Sequence, residues 1–327
     1  MGDVVSNNLG IVIPALMQSE SCSRHQIAFQ MGTITDKAFH TNDIRLGRFF
    51  DHESFEVEDK IWRCHIALVF QLLRQSYWLD GKKYLLLNLD FTSIEDRFSI
   101  LSVSLQYDSR SIPLFFNMRL YPKHTGMSDQ KKLEKATLKA LKHLLPRGYT
   151  YVLVEDRGFC NQRFLQEAEE AGFEYIIRSP ERFKVTFQAG ETTALKDMEK
   201  ETHDYGDVTI TRSGRKARLI TSFQELECYE KKGWYLFTSL QNVPLTEVVT
   251  GYSGRFKIEK VFQDQKTGGF NLEKSKFRKY IRVKRLLFCI YNAQALMTLL
   301  GEYIYNNVDE LKKKPLYSSS PISAFLH

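Results

Sequence analysis

Apolar positions recur at helical spacing in VEDKIWRCHIALVFQLLRQSYW, where Ile61, Trp62, His65, Ile66, Val69, Leu72 and Leu73 gather on one face. The remainder of residues 1-80 is polar and turn-prone, so this part reads as an all-helical N-terminal module. His65, on or beside the apolar face, fits a hydrogen-bonded structural histidine better than a catalytic one, and no role is assigned to it. At Tyr84 the pattern changes. YLLLNLDF is a short apolar run suited to a buried strand, and SILSVSLQY and SIPLFFNMRLY are two further strand candidates. SDQKKLEKATLKALKHLLPRG places Leu133, Thr137, Ala140, Leu141 and Leu144 on one helical face and closes at Gly148. YTYVLVED is a strand ending at Asp156, NQRFLQEAEEAG a helix from an Asn161 cap to a Gly172 stop, and FEYIIR a strand. Residues 81-180 therefore predict the order β-β-β-α-β-α-β.

Residues 181-248 break this alternation. FKVTF, DVTIT, KARLITSF and WYLFTSL are short strand candidates separated by glycines, which predicts a β-rich insertion. Helix returns over 249-327, first in RFKIEKVFQDQK and then in a long apolar helix from about Lys279 to Tyr305. Its core, Leu286 to Leu300, is shorter than the ~20 residues a membrane span needs and contains Asn292 and Gln294, so a buried helix is expected and no membrane. Without a basic segment leading into an apolar run at the N-terminus, no secretory signal is expected, and the cytoplasm is the expected compartment. Cys22, Cys64, Cys160, Cys228 and Cys289 form no CxxC pair and read as reduced, mostly buried thiols. The net charge of +7 favours an anionic partner, with nucleic acid foremost, although many globular proteins are as basic.

Candidate chemistry lies in three carboxylates. Asp90 is expected at the end of the first core strand and Asp156 at the end of the fourth, one end of a sheet if those strands are neighbours. Either residue alone could equally be a turn former. In GYSGRFKIEKVFQDQK, at about 100° per residue, Tyr252, Arg255, Glu259 and Lys266 fall within roughly a 60° arc of a single helix. Taken alone, that helix is more simply a surface helix with Arg255 and Glu259 as an i, i+4 ion pair. Together, two Asp at strand ends and a later Glu supply hard oxygen ligands suited to Mg²⁺ or Mn²⁺, and two such ions could serve phosphoryl transfer. There is no GxxxxGK[ST] loop, GxSxG elbow or HExxH helix, which argues against a P-loop triphosphatase, a serine hydrolase or a zinc protease.

At these residues the chain resembles bacterial insertion-sequence transposases of the DDE class, in the group whose Glu helix carries Y-x2-R-x3-E-x6-K, here Tyr252, Arg255, Glu259 and Lys266. LNLDFTS resembles that family's first-Asp strand, VEDRGF its second-Asp motif, SIPLFF its third strand, and KTGGFNLEKSKFRKYIRVKRLLF the stretch after its Glu, so the likeness runs from about 45 to 305. It implies an RNase H-like core of five mixed strands flanked by helices, a β-rich insertion before the Glu helix, and divalent metal on Asp90, Asp156 and Glu259. It implies DNA contacts from Tyr252, Arg255 and Lys266, and stacking of Trp234 on a flipped base of the transposon end. A core tryptophan is the plainer reading of Trp234. The implied activity is metal-dependent cleavage and strand transfer at transposon ends. Its partners would be duplex end DNA and target DNA, with a homodimer at the nucleoid and DNA-end binding by the N-terminal module. A nuclease or domesticated transposase that cuts without joining, and a DNA-binding protein without catalysis, remain alternatives. An RNA substrate also stays open.

Overall fold

The computed structural model describes residues 3–19, 21–121, 127–223 and 233–307. The N-terminal part is helical, as expected: α1 (Asp3–Ser19), α2 (Arg24–Thr35), α3 (Phe39–Asp51) and α4 (Asp59–Gln75). The apolar face of α4 is buried. Its Trp62 meets Phe116, Phe288 and Tyr291 edge-on, an arrangement that favours aromatic rings beyond the area they bury. His65 is buried between Asn292 Oδ1 and the Pro113 carbonyl, 3.0 Å from each. Desolvation lowers its pKa, consistent with a structural role. Helices α1, α3 and α4 all pack on the C-terminal helix, so this module shares its core with the rest of the chain.

The expected strand and helix order over residues 81-180 is observed. β1 (Tyr84–Ile94), β2 (Phe98–Tyr107) and β3 (Arg110–Leu120) form an antiparallel meander. After α5 (Met127–Leu144), β4 (Thr150–Glu155) pairs parallel to β1, and after α6 (Gln162–Ala171), β5 (Glu174–Arg178) pairs parallel to β4. Asn161 caps α6 by accepting from Phe164 N–H at 3.1 Å, and Gly172 ends it in a left-handed conformation. β2 is buried at every position, as a strand covered on both faces must be.

The stretch expected to be β-rich carries β6 (Lys184–Thr186), β7 (Thr192–Ala194), β8 (His203–Ile210), β9 (Arg215–Phe223) and β10 (Gly233–Thr238). β10 pairs antiparallel with β5, giving one ten-stranded mixed sheet in the order β3-β2-β1-β4-β5-β10-β9-β8-β6-β7. The free edge of β5 needs a partner, and the last strand of the excursion supplies one. Arg218 of β9 ties this extension to the segment after β10. It is buried, donates to the Leu240 and Val243 carbonyls at 2.8 Å, and pairs with Asp204.

Beyond that segment lie α7 (Leu245–Ser253), a 3-10 turn (Gly254–Phe256), α8 (Lys257–Gln263), a π-helical turn (Asp264–Gly268) and α9 (Tyr280–Asn306). The single helix expected to carry Tyr252, Arg255, Glu259 and Lys266 is thus three kinds of turn in succession. Its common stripe does not survive as a uniform α-helical one. Among the described residues no helix is long and apolar enough to cross a membrane. Cys22, Cys160 and Cys289 are buried thiols and Cys64 is exposed, whereas Cys228 lies outside the described residues.

Candidate active site

Asp90 does not end its strand. β1 continues through Phe91–Ile94, paired with β2, and it is β4 that stops: the last β1–β4 pair is Asn88 with Val154. Two residues further along each chain stand Asp90 and, just past β4, Asp156. Side chains alternate between faces of a strand. Tyr84, Leu86, Val152 and Val154 belong to one apolar cluster with Val248 and Tyr252 of α7. Asp90 and Asp156, in phase with them, therefore point to the α7–α8 side. Asp90 is 2.8 Å from the Phe91 amide, which donates to its Oδ1. Burial raises the pKa of Asp90, the negative charges of Asp156 and Glu259 add to that rise, and Arg255 and the Phe91 amide oppose it.

Arg255 joins the third carboxylate to the first. It is buried, lies 3.3 Å from Asp90 Oδ2 through Nη1, and 3.3 Å from Glu259 Oε1 through Nη2. The i, i+4 pair with Glu259 is present, but it is not a surface pair: the guanidinium is buried and its second arm reaches the sheet. Two polar residues that the sequence pattern does not single out set this geometry. Asn88 donates to the Gly254 carbonyl at 3.1 Å, and Gln106 to the Gly251 carbonyl at 2.9 Å and to Asn88 Oδ1 at 2.7 Å. They draw the 3-10 turn down onto β1 and β2. A Cβ at residue 254 would lie 2.0 Å from Gln106 Oε1, so any larger residue there would have to displace the Gln106 amide from its hydrogen bonds. The one signal for them in the sequence is an Asn and a Gln inside strands that otherwise bury apolar side chains, since buried amides need partners.

Tyr252 is fully buried under Trp234, their rings 4.8 Å apart and nearly perpendicular. The Tyr252 hydroxyl has no hydrogen-bond partner among the described residues. Desolvation pushes its pKa up to about 12, with Arg255 lowering and Asp156 raising it. Trp234 is only half-buried and also faces Phe256, at 6.2 Å. Lys266 falls in the π-helical turn and is half-buried. Asp90, Asp156, Arg255, Glu259, Tyr252 and Trp234 are thus gathered at one end of β1 and β4, with Lys266 one turn beyond α8.

The opposite face of β4 carries Glu155, fully buried with neither oxygen hydrogen-bonded among the described residues. Desolvation raises its pKa well above the usual carboxylate range, helped by Glu134 of α5 and by Asp90. Glu134 is buried too, and desolvation pushes its pKa up to about 7.

For a metal, the donor chemistry of Asp90, Asp156 and Glu259 suits Mg²⁺ or Mn²⁺, and Asp156 Oδ1 is buried with no hydrogen-bond partner among the described residues, which leaves it available as a ligand atom. No group of three His, Cys, Asp or Glu among the described residues is already drawn together as a metal cage. Arg255 stands between two of the three carboxylates, and its positive charge holds them near one another.

The geometry defines a mixed α/β protein with two aspartates on neighbouring parallel strands, one of them joined through Arg255 to a glutamate. The family model described as transposase DDE domain matches residues 103–293, more than half of the chain, and the chain belongs to that family. The match includes Asp156 and Glu259 and begins after Asp90, whose membership of the site rests on the strand register above. No curated protein matches. Similar solved structures include the C-terminal lobe of a budding yeast Argonaute, with 13% identity over 79% of this chain and 62% of that one at a TM-score of 0.27. Kluyveromyces polysporus Argonaute with a guide RNA is another, at 14% identity over 80% of this chain and 32% of that one, TM-score 0.25. The chain thus spans less than two thirds of either structure's length, and at these scores neither likeness bears on the site.

Proposed function

We propose that this chain is a transposase that cleaves DNA at transposon ends and joins the freed 3′ ends to target DNA, with Asp90, Asp156 and Glu259 holding the divalent metal. The observation that carries the reading is the convergence of Asp90 and Asp156 on one face of adjacent parallel strands, with Arg255 binding Asp90 and Glu259 together. Family membership supplies the substrate class. Mg²⁺ or Mn²⁺ bound there, as two ions, would activate a water or a 3′-hydroxyl and stabilise the leaving oxygen at a DNA phosphate. Strands β1 to β5 would be the RNase H-like core, and β6 to β10 its β-rich extension.

The chain's own residues do the rest. Arg255 neutralises Asp90 and Glu259 before substrate arrives, and its planar donors suit a phosphate oxygen afterwards. The buried Tyr252 hydroxyl lies beside Arg255 and would meet the same phosphate only once the site opens, and Lys266 contributes charge from the following turn. Trp234, exposed on one side and backed by Tyr252, offers a surface on which an unpaired base can stack, stabilising it by ~1 to 3 kcal/mol. Two copies would be needed to bring two ends together.

The test is incubation of DNA carrying the flanking ends of the encoding element with and without Mg²⁺, comparing wild type with Glu259→Ala. Mg²⁺-dependent cuts by the wild type alone support the reading, and joined products then separate a transposase from a nuclease. Binding of the ends without cleavage by either protein would reduce the chain to a DNA-binding protein.

A further inference from the structure

The π-helical turn that carries Lys266 is held from outside. Ile258, Val261 and Gln265 recur at i, i+3 and i+7 and are all buried, so Gln265 stands where the buried stripe of α8 calls for an apolar side chain. Its amide is satisfied by residues of α9. Gln265 Nε2 donates to Gln294 Oε1 at 2.9 Å, and the Gln265 side chain also hydrogen-bonds the Tyr291 hydroxyl. Gln294, buried as well, donates through Nε2 to the Val261 carbonyl at 3.3 Å. A side-chain amide thus reaches a main-chain carbonyl of α8 just before the π-helical turn begins, and a side chain inserted into the i, i+4 ladder is one of the recognised ways a helix departs from regularity. Tyr291 extends the network. Its hydroxyl donates to Ser102 Oγ at 2.7 Å, and Ser102 is the direct partner of Asp90 in the β1–β2 register.

Buried polar side chains therefore connect the turn to the strand position opposite Asp90: Gln265, Gln294, Tyr291 and Ser102. Leucines at 265 and 294 would fill similar space without needing partners, whereas buried amides cost free energy unless they are paired. What the amides add is geometry, because a hydrogen-bonded pair fixes how one helix is rotated against another. The residue that this rotation places is Lys266. With Gln265 held inward, its neighbour falls at the rim of the buried face, and Lys266 is half-buried there. Among the described residues Lys266 forms no ion pair, since the nearby Asp264 is taken by Arg110 at 3.3 Å.

We propose that Gln265 and Gln294 are positioning residues: their buried amide pair holds the π-helical turn and so sets Lys266 in a fixed place relative to Asp90. A backbone phosphate held by Lys266 is then presented to the carboxylates at one distance. The inference rests on the reading of Lys266 as a phosphate contact and goes beyond it, because both glutamines are buried and act only through the turn.

The experiment measures binding of a duplex carrying the ends of the encoding element to the full chain, by fluorescence anisotropy across a salt series without divalent metal. It compares wild type, Lys266→Ala, Gln265→Met/Gln294→Met, and the triple variant that combines them. Methionine nearly keeps the volume, and replacing both amides together avoids leaving either one buried alone, so the glutamine pair should melt close to wild type. Loss of one phosphate contact reduces the slope of log K against log salt by about 0.9. Lys266→Ala and the glutamine pair are each expected to flatten the slope by about that much, and the triple variant no further than either. If the glutamine pair keeps the wild-type slope, or the triple variant flattens it by about twice as much as Lys266→Ala, the glutamines do not act through Lys266 and the proposal is wrong. If Lys266→Ala itself leaves the slope unchanged, the phosphate contact falls and this inference with it, while the carboxylate reading is still judged by the cleavage test. Should the pair melt well below wild type, Gln265→Met alone, which leaves Gln294 on the Val261 carbonyl, enters the same comparison with the same outcomes.

Discussion

Asp156 and the Glu155 beside it carry the same functional group on opposite faces of one strand end, and their surroundings could hardly differ more. Asp156 lies on the side of Asp90 and Tyr252, and Asp90 is itself paired with the buried cation of Arg255. Glu155 looks toward Glu134 on the α5 side, where the described residues offer its oxygens no hydrogen bond and where desolvation favours the protonated form. A strand thus sorts two consecutive carboxyls into a candidate site and a desolvated core position merely by alternating its side chains. What distinguishes the two acids here is what each face meets, α7–α8 with Arg255 and Asp90 on one side and α5 with Glu134 on the other.

The sharpest way to break that contrast is to change each residue to its amide. Asp156→Asn should lower Mg²⁺-dependent cleavage by ~10³-fold or more, a loss of several kcal/mol of transition-state stabilisation. Glu155→Gln should leave the cleavage rate in the wild-type range without loss of thermal stability. Equal losses of cleavage from both would show that the face of the strand does not matter.

Next in size is the neighbour of Glu155. Burial moves the Glu134 carboxyl from 4.5 to about 7, so in this interval the folded chain holds a proton that the unfolded chain releases. Its stabilisation is therefore fully present at acid pH and is lost as pH rises through that window, by on the order of 3 kcal/mol. Denaturant unfolding of Glu134→Gln across this range should show a correspondingly flatter pH profile than wild type.

On the Asp156 side, Gly254→Ala forces a methyl into Gln106 and should cost about 1 to 3 kcal/mol of stability, read from denaturant midpoints. Cleavage should fall with it, because Arg255 and Glu259 move with the turn. Arg255→Gln is best read on the pH profile rather than on the size of the loss. Desolvation raises the Asp90 pKa and Arg255 holds it down. Removing the cation should let it rise further, so the acid limb of the cleavage–pH profile should move to higher pH. An unmoved limb would mean that Asp90 does not govern it.

How much of this is legible in advance depends on the range of the interactions involved. Period-two runs and a helical period, with a cap at Asn161 and a stop at Gly172, are local, and the order β-β-β-α-β-α-β reads directly from them. The motifs around Asp90, Asp156 and Glu259 are local too, which is why the resemblance points to the family that the match over 103–293 establishes. Three features are not local. YLLLNLDF stops being apolar at Asp90 and so predicts a strand end there, whereas pairing with β2 carries the strand to Ile94. The stretch through Arg255 and Glu259 predicts a regular helix because its composition is helical. Its tightening to a 3-10 turn at Gly254 goes with hydrogen bonds from Asn88 and Gln106, distant in the chain. The β-rich stretch reads as strands without partners, since nothing in its residues says that β10 will close on β5.

The sequence alone determined the element types, the N-terminal helices, the three carboxylates and their motif, because each depends on neighbours within a few turns of chain. Only the tertiary structure decided which face of β4 each of its two terminal acids takes, that Arg255 ties Asp90 to Glu259, and that the sheet runs on through β10. Those depend on strand register and on buried hydrogen bonds between residues far apart in sequence, whose cost in chain entropy only the assembled core can offset.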